Sequence, residues 1–114
     1  MIDGLNYRTV IVRLPVGAAT DSKPVKLHDV LRAVESVTRI GMLDLKGPYR
    51  RGGIARARHI YYWVARRRTG KSFPQIGYYC GGRDHSTVMH GVDKVEGNRV
   101  AFEPELSHVL AVLR

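Results

Sequence analysis

Two adjacent glycines, Gly81 and Gly82, divide a stretch of helical periodicity into a short segment, "SFPQIGYYC", and a longer one, "RDHSTVMHGVDKVEGN". Ser72 is a good N-cap, and Pro74 falls in the first helical turn, where its missing N–H costs nothing. Asp84 is placed to cap the second helix, whose apolar stripe is Val88, Val92 and Val95 and which Gly97-Asn98 ends. Gly77, four residues before Gly81, supplies the small side chain that allows two helices to approach closely. A short helix, a tight glycine turn and a second helix with a polar start form the pattern of a helix-turn-helix.

The rest of the chain reads as helix from Pro24 onward. Leu27, Val30, Leu31 and Val34 follow the i, i+3, i+4, i+7 rule, giving a helix that fades near Thr38. "MLDL" adds a short turn of helix before Gly47-Pro48. A longer helix fits from about Gly53 to Thr69, with Ile54, Ala57, Tyr61 and Val64 on one side and Arg56, His59, Trp63 and Arg67 largely on another. Gly70 is placed to end it. A last amphipathic helix is expected over about Pro104 to Leu113. The expectation is an all-α, compact multi-helix domain over residues 26–114, preceded by residues 1–25 as a short extended arm or strand ("YRTVIVRLPV", then the loop-like "GAATDSKP").

Charge is unevenly distributed. From Lys46 to Ser72 there are nine basic residues (Lys46, Arg50, Arg51, Arg56, Arg58, Arg66, Arg67, Arg68, Lys71) and no acidic one; the other ten Lys/Arg are matched by ten Asp/Glu. The whole net charge of +9 therefore resides in this segment. Seven of the nine are arginine, whose planar fork suits phosphate and base edges, so a polyanion is the natural partner, nucleic acid ahead of a lipid surface. The plainer alternative is a solvated basic face. No apolar run approaches the length needed to span a bilayer, and the start of the chain lacks a signal-peptide pattern, so no membrane association and a cytoplasmic location are expected. The single cysteine, Cys80, reads as a small buried hydrophobe.

The cluster Asp84, His85, Ser86, Thr87, His90 invites three chemical readings. His85 and His90 are five apart and point about 140° from each other on a helix, unlike the four-apart pair that shares a metal. Ser86, His90 and Asp93 fall within about 60° of one another at helical spacing. A regular helix, however, has neither the strained elbow nor the oxyanion donors that hydrolysis requires. "TGKS" at 69–72 resembles the end of a phosphate-binding loop, but its first glycine would fall on Ala65, inside a helix. The third reading needs no chemistry. The polar face lies opposite the valine stripe, and the first residues of the second helix of a helix-turn-helix reach base edges in the major groove.

"GGRDHSTVMHGVDKVE" closely resembles the signature of the C-terminal DNA-binding domain (domain IV) of the bacterial replication initiator DnaA family. "SFPQIG" and "ARARHI" resemble the same family in the same order. The similarity runs from about Lys26 to the C-terminus, roughly four-fifths of the chain. The resemblance implies a helical domain that reads short asymmetric sites, the DnaA boxes. It implies that Arg50 enters the minor groove, that Arg58 contacts a base in the major groove, and that Asp84, His85, Ser86 and Thr87 contact bases. Arg66, Lys71 and Pro74 match positions near bases or backbone. Three departures bear on site preference: Ser86 where Thr is usual, His59 where Gln is common, and Gly52-Gly53 after Arg50. The sequence contains no phosphate-binding loop.

The resulting expectation is a non-enzymatic, sequence-specific binder of double-stranded DNA, without cofactor or metal, acting as a transcription regulator or a modulator of replication initiation in the cytoplasm at the nucleoid. The contact residues expected are Arg50, Arg58, His59, Arg66, Lys71, Pro74, Arg83, Asp84, His85, Ser86 and Thr87. A homodimer through residues 1–25 is a further partner this reading admits. The competing expectation is non-specific, architectural nucleic-acid binding.

Overall fold

The computed structural model describes residues 24–114; the expected N-terminal arm lies outside them but for Pro24 and Val25. The described residues form six helices and no strand: α1 (Leu27–Thr38), α2 (Met42–Lys46), α3 (Ile54–Thr69), α4 (Phe73–Tyr79), α5 (His85–Gly97) and α6 (Arg99–Val112). The first five follow the periodicity and the capping residues. Asp29 accepts from the Lys26 N–H at 3.0 Å at the head of α1. Ser72 and Gln75 exchange bonds at the head of α4, which satisfies two of the N–H groups a helix start leaves unpaired.

Helix α3 is the centre of the domain and touches each of the other five described helices. It is therefore covered almost all round, and a two-sided reading of it fails at Trp63. That side chain, expected on the polar side, is only 3% exposed. Its indole N–H donates to Glu96 of α5 at 2.7 Å, and the guanidinium groups of Arg67 and Arg99 lie 5.0 and 4.8 Å from the ring centroid. The partners that cover Trp63 thus include residues 96 and 99, far along the chain.

Helix α6 begins at Arg99, five residues before the expected start, and carries Pro104 inside it. An interior proline costs a helix about 3 kcal/mol. Two contacts favour the longer form. Phe102 is buried beneath the Arg56 guanidinium, 4.3 Å from the ring centroid, and Arg56 donates to the Ala101 carbonyl and to both Glu105 oxygens.

The helix-turn-helix is built on a close approach. A Cβ on Gly77 would lie 2.1 Å from the Arg83 carbonyl oxygen, so only glycine lets α4 meet the strand of chain entering α5. Gly81 and Gly82 make the turn with φ of +83° and +76°, a conformation that side chains resist. Gly91 plays the same part between α5 and α3: a Cβ there would lie 2.4 Å from the Tyr62 ring.

Candidate nucleic-acid interface

Val88, Gly91 and Val95 face inward on α5, and Val92 is partly covered. Asp84, His85, Ser86, Thr87, Met89, His90 and Asp93 are all exposed. The polar start of the helix is thus turned away from the core, as its spacing predicts. Asp84 caps it: one carboxylate oxygen accepts the Thr87 N–H at 3.1 Å and the Thr87 hydroxyl at 2.8 Å. Those two bonds hold the Asp84 carboxyl below the usual carboxylate range, so it is ionised at neutral pH. The second carboxylate oxygen remains for an external donor. Thr87 commits its hydroxyl proton to the cap and is itself exposed.

The side chains of His85 and Ser86 have no hydrogen-bond partner among the described residues, and no hydrogen bond links Ser86, His90 and Asp93 there. No group of three or more His, Cys, Asp or Glu that could hold a metal ion occurs among the described residues. Met89 was not foreseen as part of this face. It lies one turn beyond His85 and Ser86 and is 41% exposed, and its i+4 spacing from His85 is the signal that places it there.

A second group of expected residues gathers at the head of α4. Arg66 stacks on Phe73, 4.5 Å from the ring centroid, and donates to the Lys71 carbonyl at 2.9 Å. This ties the end of α3 to the start of α4 while Lys71 and Pro74 remain exposed. Arg50 is exposed in the loop between α2 and α3. Its neighbour Arg51 lies 3.9 Å from the Asp44 carboxylate.

Three expected contact residues are placed differently. Arg58 is 7% exposed, and its guanidinium donates to the carbonyls of Leu45 (2.9 Å), Asp44 (3.1 Å) and Gly47 (2.7 Å). Its fork is engaged by backbone carbonyls in the chain alone. Burial first, and the nearby Arg83 guanidinium second, disfavour its charge, and the three carbonyls compensate by accepting from it. Arg83 is half-buried and donates to the carbonyls of Cys80 (2.5 Å), Gly47 (2.6 Å) and Lys46 (3.4 Å). His59 is half-buried where α3 faces α5, its ring centroid 6.3 Å from that of Tyr62. Burial, then the Lys94 ammonium, hold its imidazole below the usual range.

Comparison with known proteins agrees with this architecture. A family model described as the bacterial DnaA protein helix-turn-helix matches residues 27–95. The chromosomal replication initiator protein DnaA of Cereibacter sphaeroides is 40% identical over 96 residues, covering 84% of this chain and 21% of that protein. The protein of the same name from Acinetobacter baumannii is 37% identical over 99 residues, again 84% and 21%. The chain spans about a fifth of the length of these curated relatives.

Proposed function

The chain belongs to the bacterial DnaA helix-turn-helix family, and from that membership we propose that it reads short asymmetric DnaA-box-like sites in double-stranded DNA. The observation that carries this reading is the outward polar start of α5, where His85 and Ser86 have no hydrogen-bond partner among the described residues, in a chain that also exposes Arg50, Arg66, Arg67 and Lys71. In this arrangement α5 enters the major groove. His85 and Ser86 offer hydrogen-bonding groups to base edges, the free oxygen of Asp84 accepts from a cytosine amino group, and the Thr87 methyl packs on a thymine methyl. Arg66, Arg67 and Lys71 hold phosphates, and Arg50 reaches the minor groove from its loop. Phosphate contacts fix register and base contacts supply preference. The reading assigns no catalysis to this domain. Its biological role is regulation of transcription, or modulation of initiation at sites the initiator also binds, at the nucleoid.

The test is selection from random duplexes by the purified protein. A short asymmetric motif is expected, bound about 10³-fold or more above random duplex. His85→Ala relaxes preference at one position, by about 1–3 kcal/mol, whereas Arg67→Ala weakens all sequences alike. Enrichment of no motif, with a steep salt dependence, overturns sequence reading and leaves the architectural alternative.

A further inference from the structure

Helix α2 is only five residues long, and four consecutive carbonyls at its end, Asp44 to Gly47, point toward partners outside it. Such terminal carbonyls must find donors. Here two guanidinium groups supply them. Arg58 reaches Asp44, Leu45 and Gly47 from α3; Arg83 reaches Lys46 and Gly47 from the turn before α5. Both meet at the Gly47 carbonyl oxygen, at 2.7 and 2.6 Å. The backbone of the turn also lies against this end of α2, since a Cβ on Gly81 would stand 2.0 Å from the Lys46 carbonyl oxygen. Cys80 adds a sulfur donor to Leu45 at 3.4 Å.

The sequence on either side of this knot gives it meaning. Three residues after Gly47 comes Arg50, and the residue after Arg83 is Asp84, the cap of α5. We propose that Arg58 and Arg83 are positioning residues, a double clasp that fixes the Arg50 loop relative to the start of α5. The inference rests on the DNA reading proposed above. Without the clasp, loop 48–53 would be ordered only on binding, at a cost in affinity. Two cations held side by side and partly out of water are an expensive way to anchor a loop. A fork that grips several carbonyls at once is what a lysine or glutamine cannot reproduce.

Three measurements on the full chain test this. In the free protein, Arg83→Lys is expected to accelerate amide hydrogen exchange at Gly47 and Ile54, the hydrogen-bonded amides that flank loop 48–53 and donate to Asp44 and Arg51, by about tenfold or more, while the amides around Val88 keep their rates. On the selected duplex, Arg83→Lys is expected to lose about tenfold in affinity despite keeping its charge. Arg50→Ala, costly in the wild-type chain, should then cost little more in the Arg83→Lys background, because residues that act together are non-additive. Arg83→Gln, checked by circular dichroism, should leave the slope of log affinity against log salt unchanged. A direct phosphate contact would instead make it shallower by about 0.9. Full affinity in Arg83→Lys, or a shallower slope in Arg83→Gln with exchange at Gly47 and Ile54 unaltered in Arg83→Lys, overturns the clasp. If the wild-type chain selects no motif, the DNA reading falls, while the exchange measurement still decides the clasp.

Discussion

Arg58 and Arg67 lie on one helix nine residues apart, which at about 100° per residue places them on opposite sides of it. One is 7% exposed with three carbonyl acceptors; the other is exposed, its guanidinium 5.0 Å from the Trp63 ring centroid. The same side chain thus serves two ends within one basic segment. The inward arginines, Arg58 and Arg83, give their donors to backbone and hold the geometry. The outward cations, Arg50, Arg67 and Lys71, keep theirs for a polyanion. Net charge counts both kinds equally, so it overstates the cations available to DNA and understates what organises them.

The largest expected effect breaks this pairing directly. Arg58→Ala strips three carbonyls of charged donors and should lower the free energy of unfolding by about 3 kcal/mol or more. Arg67→Ala should change it by less than about 1 kcal/mol, the worth of an exposed cation over an aromatic ring. Urea denaturation of the two variants decides it, and equal losses would erase the distinction.

Gly91→Ala sharpens the comparison where α5 packs on the same side of α3 as Arg58. The new Cβ would sit 2.4 Å from Cδ2 of Tyr62 and 2.9 Å from that of His59. Overpacking of this kind costs about 1–3 kcal/mol, and α5 must shift on α3, so affinity for the selected duplex should fall along with Tm. Unchanged affinity would mean that the seating of α5 matters less than its surface.

Two neighbouring tyrosines extend the rule from cations to hydroxyls. The Tyr61 hydroxyl donates to the Ile76 carbonyl at 3.0 Å, whereas the buried Tyr62 hydroxyl has no partner among the described residues. Burial pushes both phenols up, Tyr62 to about 12. Tyr61→Phe should therefore cost about 1 kcal/mol, and Tyr62→Phe should be neutral or slightly stabilising. Thermal melts of the two variants are the check.

The smallest effect is a pH dependence from His59. Its imidazole is held below the ordinary value of about 6.5 in the folded chain. The unfolded chain then binds the proton first, so stability present at neutral pH is lost as pH falls below about 6.5. His59→Gln should flatten that part of the stability profile. An unaltered profile would mean that the half-buried ring contributes nothing to it.

How much of this was legible in the sequence depends on the range of the cause. Ser72, Pro74, the Gly81-Gly82 turn and Asp84 act within four residues of themselves, and the helix-turn-helix they specify is the one observed. The outward face of α5 followed from the valine spacing alone. The burial of Trp63 depends on Glu96 and Arg99, and the early start of α6 on Phe102 and Arg56, pairs more than thirty residues apart. Arg58 is the clearest case. Nothing local separates it from Arg56 or Arg67, and its fate is set by where a five-residue helix leaves its carbonyls.

The central claim is that the exposed start of α5, together with the outward cations, meets the double helix. Its most direct test is the change in backbone amide resonances as the selected duplex is added to the labelled protein. The account predicts the largest shifts at residues 84–90, at Arg50 and at residues 66–75, with the outer face of α6 unmoved. Shifts centred on α1 and α6, with residues 85–90 unmoved, would contradict it.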